Sequence, residues 1–174
     1  MQKKPFIKLK EKKKREENKA ILKAKRHDPS TEEYLKYNWD YKVYGENDIV
    51  LLKYLGTDTN VVVPENICGY KVIGIANGAF SPQTGRRDFL MKKLESVSLP
   101  DSVCTMGANV FYDCRNLSSV HLPHNLSVIP EYTFFRCIKL TSIDIPTSVV
   151  RIEKYAFLIA VCYQIQYCLK NYNL

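Results

Sequence analysis

Histidine is scarce in this 174-residue chain: there are three, at 27, 121 and 124. No glycine-rich loop of phosphate-cradling pattern and no pair of acids at a recognisable catalytic spacing occurs. His121 falls on an outward strand position and His124 follows a turn proline. No Cys or carboxylate stands near either at a metal-ligand spacing along the chain. Cys162 and Cys168 are six apart without a histidine partner, which excludes a recognisable zinc or thiol-nucleophile motif. These absences predict no enzyme, no cofactor and no metal.

Long apolar runs are missing too. The N-terminus "MQKKPFIKLKEKKKREENKAILKAKRHDP" lacks the apolar stretch of a secretory signal, and no stretch reaches the roughly 20 apolar residues of a membrane span. An intracellular location is therefore expected. Six cysteines form an even count, but an adequate apolar core and the missing signal favour reduced thiols over a disulfide framework.

The formal charge of +8 is local. Residues 1–30 hold 12 Lys/Arg against four Asp/Glu, a surplus of eight, while residues 31–174 hold 14 of each. Residues 1–30 thus read as a basic tail, helical or disordered, since residues 8–27 contain good helix formers without an apolar stripe. A mobile solvated tail is the simpler reading. A clamp on nucleic acid or an anionic membrane is the alternative.

What the chain does have is a phrase said three times. "LESVSLPDSV", "LSSVHLPHNL" and "LTSIDIPTSV" begin at Leu94, Leu117 and Leu140, 23 residues apart. The register aligns Val97/Val120/Ile143, Leu99/Leu122/Ile145 and Pro100/Pro123/Pro146 without a gap. Val103/Leu126/Val149, Met106/Ile129/Ile152 and Phe111/Phe134/Phe157 continue it. Apolar residues alternate with polar ones before each proline, the period of a strand with one face buried, and the proline ends the strand. A strand this short is unstable alone, but copies stacked about 4.8 Å apart share a ladder and bury each other's apolar faces. The expected fold is a β-rich solenoid of about four coils, with short parallel strands and irregular, 3-10 or short helical return segments. Phe80 joins the phenylalanine column. Cys114 and Cys137, each three residues after a Phe, fill tight corners, although a disulfide between neighbouring coils is geometrically conceivable.

The pattern L-x-x-V/I-x-L/I-P-x-S/N-V/L-x-x-I/M-x-x-x-x-F-x-x-C resembles the BspA-type leucine-rich repeat, a 23-residue variety. The likeness covers roughly residues 38–157. Residues 51–80 look like its opening coil, with Val61, Val63 and Pro64 matching Val97, Leu99 and Pro100. Ser102, Asn125 and Ser148 sit where such repeats place a polar residue, able to bond backbone groups left unpaired as the chain turns. The first coil carries five extra residues between Pro64 and Ile75, and the loop "SPQTGRRDF" adds eight before Leu94. The resemblance implies adhesion roles on the cell surface, as in many members.

Four segments follow. Residues 1–30 are the tail; 31–57 form an N-terminal cap with a hairpin, opened by the cap-like "STEEYLKY"; 58–157 are the solenoid; 158–174 are an apolar cap or truncated repeat. An open stack exposes apolar core at both ends, so both must be covered. The function expected is a non-catalytic protein-interaction module that binds through its outward strand face: Ser96, Ser98, Ser119, His121, Ser142 and Asp144. That small, hydroxyl-rich face suits a protein or a glycan. The loop bearing Arg86 and Arg87 is a second candidate.

Overall fold

The computed structural model describes residues 4–82 and 93–160, with side chains of the first helix described from residue 14 onward. The chain starts with α1 (Lys4–Lys25), then α2 (Glu32–Asn38). Thr31 caps α2: its Oγ1 accepts a 3.2 Å bond from the Tyr34 N–H, satisfying one of the donors that a helix start leaves unpaired. Asn38, at the other end, is buried and donates from Nδ2 to the carbonyls of Arg26 and Tyr34.

An antiparallel hairpin follows, β1 (Trp39–Tyr44) and β2 (Asp48–Tyr54), turning at Gly45 with φ +59°. Next come β3 (Asn60–Val62), β4 (Asn66–Ile67) and β5 (Tyr70–Ile75). The five extra residues of the first coil build a small hairpin. β4 and β5 pair antiparallel across Cys68 and Gly69, both at positive φ, the twist that two-residue hairpin loops require. Beyond residue 93 come β6 (Ser96–Ser98), β7 (Thr105–Met106), β8 (Ser119–His121), β9 (Val128–Ile129) and β10 (Arg151–Ile152).

One continuous ladder and, opposite it, two separate strand pairs run across the coils. On one side β3, β6 and β8 pair in parallel, with Asn60 against Ser96 against Ser119, and Val62 against Ser98 against His121. The other side differs from expectation. The return segments are neither 3-10 nor helical among the described residues; each holds a second short parallel strand followed by turns. Ile75 pairs with Met106, and Ile129 with Ile152. The inward side chain at this column and its main-chain bonds to the neighbouring coil, such as Glu153 N–H to the Ile129 carbonyl at 2.9 Å, hold these residues extended.

The return path then bends twice through left-handed backbone at fixed columns. Gly78, Asn109, Tyr132 and Tyr155 have φ of +62°, +59°, +55° and +59°; Asp113, Arg136 and Ile159 have +58°, +59° and +63°. Such angles are uncommon for residues with a Cβ. Here they aim N–H groups at the next coil: Asn109 donates to the Glu131 carbonyl at 3.0 Å and Arg136 to that of Leu158 at 3.0 Å.

Between the ladders lies the core. Leu94, Leu117 and Leu140 are fully buried, as are Phe80, Phe111 and Phe134. The phenylalanine rings stack with centroids 5.3 Å, 5.4 Å and 5.0 Å apart from Phe80 through Phe157. Trp39 meets Phe80 edge-on at 5.6 Å and Tyr54 lies 4.9 Å from Trp39, so the first hairpin's aromatics cover the start of the column. Cys114 and Cys137 are free and buried, and their thiols approach the carbonyls of Phe80 and Phe111 at 3.3 Å and 3.1 Å. Each thiol therefore bridges one coil to the Phe of the coil before it.

One turn bond expected from the sequence is missing. Asn125 Nδ2 donates to the Asp101 carbonyl at 2.8 Å, and Ser148 Oγ to that of Leu126 at 2.8 Å. Ser102 Oγ is buried without a partner. Its neighbouring coil is the one with the five extra residues, where the β4–β5 hairpin replaces the standard turn.

Candidate functional site

Strand alternation determines which side chains leave the core. Along β6 and β8, Val97 and Val120 point inward and are buried, so Ser96, Ser98, Ser119 and His121 face outward. Parallel registration places these four in two rungs rather than scattering them. Ser96 donates from Oγ to Asn60 Oδ1 at 2.6 Å, linking the first coil to the second.

The face extends further at one end than the sequence places it, and is less regular at the other. Asn60 and Val62 complete the rungs on β3, and Val62 is 71% exposed. The alignment of Val61, Val63 and Pro64 with Val97, Leu99 and Pro100 carried that signal. Ser142 and Asp144 are exposed and flank the buried Ile143, keeping the alternation, but residues 141–146 form no strand. Burial of Ile143 is enough to turn its neighbours outward, with or without a ladder. Arg86 and Arg87 lie outside the described residues, as do Cys162, Cys168 and most of the C-terminal segment.

The rungs carry no Asp, Glu, Lys or Arg on β3, β6 or β8, and those charges sit at the rim. The residues just after the turn prolines stack in their own column, which brings Asp101 beside His124. The His124 N–H donates to Asp101 Oδ1 at 2.8 Å, and its Nδ1 lies 2.9 Å from the same oxygen. The backbone N–H first, then the ring, hold the Asp101 carboxyl below its ordinary range. The His121 ring lies 5.7 Å from that of His124. A carboxylate therefore does join the two histidines, contrary to the expectation from linear spacing. The 23-residue offset between Asp101 and His124 was the signal: ligands one coil apart are neighbours in space.

Two buried thiols and one half-buried amine serve the fold. Burial pushes the Cys114 thiol well up and that of Cys137 up to about 12, which makes both poor nucleophiles. Lys53 is half-buried, with Nζ donating to the carbonyls of Gly78 and Ser81.

Several solved structures are similar to this chain in fold. A leucine-rich repeat protein of T. pallidum matches with a TM-score of 0.61 and 27% identity, over 73% of this chain and 67% of that one. A leucine-rich repeat protein from Bacteroides capillosus gives 0.60 and 27%, over 73% and 91%. A leucine-rich cell surface protein from Faecalibacterium prausnitzii gives 0.60 and 28%, over 70% of this chain but only 30% of that one. No curated protein matches the sequence. The family model described as the BspA type leucine rich repeat region, six copies, matches residues 83–172. That match runs past Phe157, where the gapless 23-residue columns stop, and begins after the first coil, which the β3–β6 ladder nevertheless joins to the stack. The chain belongs to the BspA-type leucine-rich repeat family.

Proposed function

We propose that the chain is a non-catalytic solenoid that docks a protein partner on its outward strand face, over Ser96, Ser98, Ser119 and His121, extended by Asn60 and Val62 and by Ser142 and Asp144. The observation that supports this most is the gapless parallel register of β3, β6 and β8. It makes a row of short side chains that the core does not use, on a main chain fixed by its ladder. Short hydroxyls and one imidazole cost little rotamer entropy to order, and a rigid surface loses little freedom on binding.

The test replaces Ser98 and Ser119 with Arg and compares partner capture with the unaltered chain. Loss of the partner by a variant with unchanged circular dichroism supports the reading; equal capture overturns it. The Faecalibacterium relative is a cell surface protein, and adhesion at a cell surface is one setting in which such a face would act. Among the described residues no helix is long and apolar enough to cross a membrane.

A second reading uses the basic tail, with nucleic acid or an anionic membrane as partner. Lys19, Lys23, Arg26 and His27 line one recess of about 390 Å³ with Tyr37 and Asp58. Binding through these cations would weaken steeply with salt and vanish on deleting residues 1–30. Salt-insensitive binding that survives the deletion leaves the strand face as the docking site.

A further inference from the structure

We propose that Asp101, His121 and His124 form an open binding site for a divalent transition-metal ion of the zinc class. Two imidazoles and one carboxylate are a ligand set suited to zinc or its late first-row neighbours, whereas calcium and magnesium take oxygen ligands. One donor atom from each of the three residues lies within 4.8 Å of the others. Tetrahedral zinc with bonds of about 2.0–2.2 Å needs donors about 3.4 Å apart. His124 Nδ1 and Asp101 Oδ1, at 2.9 Å, must open slightly as the ion replaces the proton between them. His121 must close in, which its exposed side chain can do by rotating.

The main chain under the site is already arranged. His121 ends β8, whose register on β6 is fixed, and the His124 N–H holds Asp101 Oδ1 at 2.8 Å. A bond of that kind orients a ligating carboxylate and favours its ionised form, the role that outer hydrogen bonds play around metal ligands. All three side chains are exposed, so a fourth position stays open to water or to a donor from a docked molecule. The site shares His121 with the strand face, but ion binding there does not depend on what that face docks.

The test titrates Zn²⁺ into the full chain carrying no histidine tag, following histidine ring resonances by NMR and affinity by calorimetry. The proposal expects the resonances of His121 and His124 to move together while that of His27 stays. It expects His121→Ala, His124→Ala and Asp101→Asn each to weaken this site about tenfold or more. Cys104→Ser, which removes an exposed thiol, should leave it unchanged. The proposal is overturned if neither ring responds in the unaltered protein, if only His27 responds, or if the tight site survives the histidine variants and disappears with Cys104→Ser.

Discussion

The strand side and the return side obey the same 23-residue period and reach different ends. On the strand side β3, β6 and β8 share one parallel ladder, outward side chains are short, and none of their residues takes left-handed backbone. On the return side the chain reverses within a few residues, through left-handed backbone at Asn109, Tyr132 and Tyr155 and again at Asp113, Arg136 and Ile159. Its outward aromatics also occupy one another: Tyr112 stacks on Phe135 at 4.9 Å and Tyr132 on Tyr155 at 5.2 Å. One side turns outward short side chains that the core does not use, and on the other the outward rings pack on one another.

The largest test of that contrast strikes what both sides share. Phe111→Ala removes a fully buried ring between Phe80 and Phe134 and should cost about 3–5 kcal/mol in denaturant unfolding. A loss below about 1 kcal/mol would mean that the column does not hold the two sides together.

The next concerns the return-side thiols. Burial keeps Cys114 and Cys137 neutral, whereas an unfolded thiol ionises near about 8.5. The folded state retains protons that the unfolded state releases, so stability is full below about pH 8.5 and declines as pH rises toward about 12. The double variant Cys114→Ala, Cys137→Ala should flatten that alkaline slope in urea midpoints measured across the range.

A matched pair comes third. Asn109→Ala forces a poorer residue into left-handed backbone and should destabilise by about 1 kcal/mol, while Ser119→Ala on the strand side should stay within about 0.5 kcal/mol. Equal effects would erase the distinction between the two sides. The smallest expected change is that of Ser98→Arg, also within about 0.5 kcal/mol, read as the thermal midpoint. A strong destabilisation there would show that the outward row serves the fold.

Much of the fold could be read along the chain. The columns from Leu94 to Phe157 lie where the period puts them, Thr31 caps its helix, and the hairpin of 39–54 carries the aromatics that meet Phe80. The misses have a common character. Tyr132 and Arg136 sit in left-handed backbone although nothing in their chemistry favours it, because the neighbouring coil's carbonyls demand an N–H there. Ser142 and Asp144 keep the right alternation without a strand, because alternation reports burial and not pairing.

The same holds for the candidate surfaces. Asp101 is 20 residues from His121, and no linear spacing rule joins them. Ser102 reads like Asn125 and Ser148 but faces an irregular coil that gives it no partner.

What the sequence determined alone is the period, the inward set and the family they identify, since burial of apolar residues depends on each copy's own alternation. Only the tertiary structure decided the return-side strand pairs, the left-handed bends and the approach of His121 to Asp101. Those depend on which groups of one coil come to lie against the next, and stacking sets that distance, not the separation along the chain.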